Sequence, residues 1–298
     1  MNIASASKAG SSPILLTTGS AECEIWPHKG GSIARWTING QNMLRAAQPH
    51  AAKETFPLGM ASFPLVPYSN RIGHGRFDWN GTTVKLEPNF PPEPHAIHGT
   101  GWTASWDVES HNARDVTLVH SHKADHHWPW HFDAIQRICL SEYALTIEMV
   151  AHNLSDQMVP LAFGHHPDFD SDQATLTFNA HIIWQTGADG LPERFETPDG
   201  LLDFSDGQTV ADCALDNGYA GWDGNATIRW KGRPLQLNIY SDMSAAVVYI
   251  PRGESYFCFE PVPHIINALN LPERRPPMPT VAPGAQFTSQ IQYRATDA

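Results

Sequence analysis

Glu260 closes the run SYFCFE and precedes Pro261, so apolar side chains flank its carboxyl along the chain. Burial disfavours a charged carboxylate and carries a Glu pKa from about 4.3 towards neutrality. That is the range in which a carboxyl takes and returns protons near pH 7. A structural glutamate paired with Arg71 or Arg252 is the plainer alternative, and spacing alone leaves both open. Histidine is the usual partner for such a base, and the chain has 16 among 298 residues. In MVPLAFGHHPDF, His165 and His166 are adjacent. Neighbouring strand residues face opposite ways, so one of the two faces a given pocket. Pro167 predicts that the strand stops at His166, at a rim.

Three further groups offer binding chemistry. In YSNRIGHGRFDWNG, Asn70 and Arg71 follow an apolar stretch and precede a Gly-punctuated hairpin. An Arg fork there can hold a pair of hydroxyls, or simply pair with a carboxylate. In HAIHGTGW, glycines beside His98 allow close backbone approach, and Trp102 offers an apolar plate. In HHWPWH, His126, His127 and His131 alternate with Trp128, Pro129 and Trp130. That spacing matches no zinc pattern, so no metal is expected; lining a cleft, or forming an ordinary loop, fits better.

The elements that position these residues are strands. Period-two alternation recurs in Val116–Val119, in Tyr143, Leu145, Ile147 and Met149, in Ile228 and Trp230, and in Leu235, Leu237 and Ile239. Asn39-Gly40, Asn80-Gly81, Asp199-Gly200, Asp223-Gly224 and Arg252-Gly253 punctuate them as turns. Many short strands with turns between them make an all-β sandwich or barrel. The proline-rich LPERRPPMPTVAPG reads as an ordered crossing, because Phe287, Ser289, Ile291 and Tyr293 then alternate as a closing strand. Residues 1–298 are accordingly expected to form one domain.

Composition narrows the partners. The formal charge is −12, from 19 basic and 31 acidic residues. Nucleic acid and anionic membranes call for clustered Lys and Arg, so neither is expected; a neutral small molecule is. Cys23, Cys139, Cys213 and Cys258 lie far apart in or beside apolar stretches, and read as buried reduced thiols. The N-terminus MNIASASKAGSSP lacks the pattern of a secretory leader, and no apolar stretch approaches the roughly 20 residues of a membrane span. A cytoplasmic protein, monomer or homodimer, is expected.

The segments YSNRIGHGRFDWNG, HAIHGTGW, FGHHPDF, LDNGYAGWDG and CFEPVPHIINALN, with the closing VAPGAQFTSQIQYR, resemble the aldose 1-epimerase (galactose mutarotase) family in this order. The resemblance implies a large antiparallel β-supersandwich with a cleft on its concave sheet. It implies Glu260 as the base at the C1 hydroxyl and His166 as the acid at the ring oxygen. Arg71, His98 and Asp216, with Asn70 nearby, would hold the sugar hydroxyls, and no cofactor is implied. The aromatic common two positions after the acid histidine is Asp168 here, which tunes the histidine, selects a different hydroxyl pattern, or points into solvent. A hexose-6-phosphate epimerase or a non-catalytic carbohydrate-binding protein are the alternatives. If Trp128 and Trp130 line the cleft, their loss raises KM.

Overall fold

Alternating apolar residues become strands with one buried face. Ala144–Asn153 buries Leu145, Ile147, Met149 and Ala151, with half-buried residues between them. Tyr143, expected to open this series, lies just before the strand and is exposed. Asn39-Gly40 and Asn80-Gly81 take positive φ at both positions, which makes them tight hairpin turns. The computed structural model describes residues 12–298, so nearly all of the segment bearing on a leader lies outside the described residues.

The strands form an all-β supersandwich of two large antiparallel sheets. The 11-stranded sheet includes, in spatial order, Ser32–Ile38, Ser62–Leu65, Gly164–Asp170, Tyr256–Val262, Ala245–Ile250 and Leu215–Ala220. The 9-stranded sheet is centred on Phe132–Leu140, Ala144–Asn153, the twelve-residue Gln286–Asp297 and Leu235–Ser241. Tyr293 of the second sheet meets Trp36 and Phe169 of the first, with ring centroids 6.3 and 6.4 Å apart. The proline-rich stretch is ordered as expected: Thr280–Val281 pairs with Val159–Pro160. No helix among the described residues is long and apolar enough to cross a membrane.

Three expectations need correction. The strand carrying His166 does not stop there but runs through Pro167 to Asp170, and Glu260 lies inside its strand, which continues to Val262. Pro167 is tolerated because its strand changes neighbour there, and Pro261 because its strand has already lost one of its two neighbours. Residues 164–167 pair with Ser62–Leu65 and residues 168–170 with 256–258, so the two site strands share a ladder only at one end. The HHWPWH segment does not line the cleft. Trp128 is fully buried against Tyr68 and Trp130, with ring centroids 5.3 and 5.2 Å apart, because its apolar area is better removed from water in the core. Finally, Cys23 and Cys258 are buried, but Cys139 and Cys213 are half-buried; none forms a disulfide.

Candidate active site

The register of the 11-stranded sheet lines up the chemistry. Asp168 stands opposite Cys258, Cys258 opposite Tyr249, and Tyr249 opposite Asp216. Opposed residues share a face, so one row across four strands carries all four outward. Glu260 lies two residues beyond Cys258, and His166 two residues before Asp168, which puts both on that same face. The two strands pair at Asp168–Cys258 and no further in this direction, so His166 and Glu260 face each other where the ladder has ended. His165 points the other way, into the sandwich, where Ser62 and Gln136 lie 2.5 and 3.3 Å from its ring nitrogens. Of the two adjacent histidines, His166 is therefore the one that faces the cleft.

A cleft of about 320 Å³ opens over this face, and all six residues singled out from the sequence line it: Asn70, Arg71, His98, His166, Asp216 and Glu260. His166 Nε2 is 3.3 Å from Glu260 Oε1. Glu260 is 2% exposed, and its second oxygen has no hydrogen-bond partner among the described residues. Burial pushes its pKa up to about 7, with nearby His166 pulling the other way. Burial also opposes charge on His166, but Glu260 and Asp168 outweigh it and leave the imidazole above its ordinary value. Among the described residues no arginine pairs with Glu260, so the structural-glutamate alternative loses its partner. Phe63 stacks on His166 at 4.4 Å between ring centroids and fixes the plane of the imidazole.

The polar wall comes from loops in unusual backbone. Asn70 and His98 both take left-handed φ, 58° in each case. They are tied reciprocally: His98 N–H donates to Asn70 O at 3.0 Å, and Asn70 N–H donates to His98 Nδ1 at 3.2 Å. Accepting at Nδ1 leaves the His98 proton on Nε2 as a neutral donor. Burial, with His166 and Arg71 adding to it, holds its pKa well below the usual range, in agreement. Arg71 is gripped by Asn70 Oδ1, which accepts from its backbone N–H at 2.9 Å, and by Glu93 and Asp216 at 3.2 and 3.4 Å. Gly190 lies flat against the guanidinium; a Cβ there would meet Arg71 Cζ at 2.7 Å.

Asp168 does not point into solvent. It is 1% exposed, ion-paired with Arg45 and 3.3 Å from His166 Nδ1. Glu93 and Arg45 escape a reading of the sequence, because their partners are brought in by the fold and carry no local spacing signal. Tyr249 and Tyr256 also line the cleft, and the sheet register is what places them there. Trp102, read as an apolar plate, is a buried wall residue standing behind His98 at 5.3 Å between ring centroids. His166, Cys258 and Glu260 offer ligand atoms within 4.8 Å of one another. Burial holds the Cys258 thiol well above its usual range, however, so it stays protonated and suits a metal ion poorly.

One buried carboxyl and one part-buried imidazole, each able to exchange a proton near neutral pH, can remove a proton at one oxygen and deliver one at another. Comparison with known proteins bears on family and fold. The family model described as aldose 1-epimerase matches residues 14–294. The uncharacterized protein YphB of Escherichia coli K12 is 27% identical over 290 residues, covering 94% of this chain and 97% of that one. A candidate aldose 1-epimerase of Escherichia coli K12 superposes with a TM-score of 0.88 at 25% identity, over 97% of this chain and all of that one. Galactose 1-epimerase from Lactobacillus acidophilus superposes with a TM-score of 0.79 at 17% identity, over 96% and 94% of the two chains, a likeness of fold.

Proposed function

The chain belongs to the aldose 1-epimerase family, and from that premise we propose that it interconverts the α and β anomers of a free aldose such as glucose or galactose. The observation that carries this reading is the facing pair at the cleft floor, His166 Nε2 3.3 Å from Glu260 Oε1. A carboxyl tuned to about 7 and a histidine raised above its ordinary value form an acid–base couple. A module that only binds sugar has no need of such a couple.

Glu260 takes the proton of the C1 hydroxyl while His166 delivers its proton to the ring oxygen, and the C1–O5 bond breaks. The C1 oxygen becomes the aldehyde carbonyl. The open chain turns about C1–C2, and the two proton transfers then run in reverse to close the ring on the other face. Glu260 returns its proton to the C1 oxygen, and His166 regains one from the C5 hydroxyl. Arg71, neutral His98 and Asp216 hold the remaining hydroxyls, with Asn70 holding Arg71 in place.

Charge favours a free sugar over a phosphorylated one. The cleft lining carries Asp168, Asp216 and Glu260 against one arginine, Arg71, which is already paired with Glu93 and Asp216. A phosphate needs uncommitted cationic donors. Polarimetry of fresh α-glucose, α-galactose and α-glucose 6-phosphate tests this. Higher kcat/KM for a free sugar supports the reading, and preference for the phosphate overturns it.

A further inference from the structure

His166 stands between two buried carboxylates, and the reaction as described uses one of them. Glu260 faces Nε2, and Asp168 Oδ1 lies 3.3 Å from Nδ1 on the opposite side of the ring, near enough for its charge to act although Nδ1 has no aligned hydrogen-bond partner among the described residues. Asp168 is itself built in from several directions. Arg45 pairs with its Oδ2, the Arg45 backbone N–H donates to its carbonyl at 2.8 Å, and the Cys258 thiol donates to Oδ1 at 3.2 Å. Arg45 in turn lies over the Tyr256 ring, 3.9 Å from its centroid.

We propose that Asp168 is a positioning residue for His166. Its charge beside Nδ1 favours a proton on that side of the ring and leaves Nε2–H for the ring oxygen, while Arg45 sets how strongly that charge acts. The proposal rests on the reading of His166 as the acid. Glu260 lies against Nε2, the side on which the sugar is read to react, whereas Asp168 is a counter-charge on the far side of the ring. An unopposed buried carboxylate would hold the imidazolium so firmly that delivery to the sugar slows. Arg45 offsets part of that charge.

The other groups around the ring do not supply this effect. On the Glu260 strand, Cys258 is a neutral thiol. His98 and His165 are both lowered by burial and are neutral. Arg71 and Asp216, from the loop wall and a more distant strand, are paired with each other. Tyr249 and Tyr256, with pKa values raised by burial, are uncharged near neutrality.

The test is the pH profile of kcat/KM for mutarotation in wild type, Asp168→Asn and Arg45→Gln. Asp168→Asn is expected to move the alkaline limb down by about one pH unit and to lower kcat roughly 10–100-fold, with KM within about twofold. Arg45→Gln is expected to move the same limb upward. An unmoved limb in Asp168→Asn, or limbs moving the same way in both variants, overturns the proposal. So does a rise in KM at unchanged kcat, which would make Asp168 a hydroxyl ligand. Should Asp168→Asn fail to fold, the His166 titration followed by NMR in wild type and Arg45→Gln decides the point; an upward shift supports it, and none overturns it. Absence of mutarotation in wild type strikes the proposed function instead, and the NMR titration still reads the Asp168 contact.

Discussion

Glu260 is set by burial to titrate at about 7, well above an ordinary carboxyl. Its basic form fills as pH rises through that value, so kcat/KM for mutarotation should climb with it. At pH 5 it should lie about 100-fold below its plateau. A profile flat from pH 5 to 7 would remove Glu260 as the base. At this scale the sequence was informative where a side chain's neighbours along the chain predict its surroundings. The apolar run before Glu260 announces its burial, and the adjacent histidines announce that at most one of them faces the cleft. The Arg45–Asp168 pair was not legible, because its members are 123 residues apart and meet through the sheet.

The site depends on elements that stop pairing at the right place. Two neighbouring strands part after Asp168–Cys258, and the residues that need room, His166 and Glu260, each precede a proline there. Read along the chain, those prolines predict strand ends; a proline is tolerated inside a strand where a ladder is already open, which only the paired strand reveals. The loop wall is similarly exacting at Gly190, whose φ is +75° and whose backbone lies against Arg71. Gly190→Ala should displace the guanidinium and raise KM about tenfold while leaving kcat within a few-fold. Michaelis kinetics followed by polarimetry reads this directly, and an unchanged KM would mean that Arg71 does not hold the sugar.

Across the whole molecule, two sheets share one apolar core, and the closing strand Gln286–Asp297 is central to the second sheet. The all-β class was legible from period-two alternation and frequent turns, which left sandwich and barrel open; the two-sheet layering came from the family resemblance. The place of the HHWPWH segment was not legible, since tryptophans beside histidines suit a sugar cleft and a core equally well by composition. Trp128 belongs to the core, packed among Tyr68, Phe77 and Trp130. Trp128→Ala should therefore cost about 3–5 kcal/mol of stability with KM unchanged in the folded fraction. Denaturant unfolding alongside kinetics separates the outcomes, because raised KM at full stability would return Trp128 to the cleft.

The central claim, that Glu260 and His166 exchange the anomers of a free aldose, is tested most directly by polarimetry of fresh α-glucose and α-galactose with wild type and Glu260→Gln side by side. Acceleration by the wild type that falls about 10²–10⁴-fold in the variant is the predicted result. Equal acceleration by both proteins, or none by the wild type with either sugar, would contradict it.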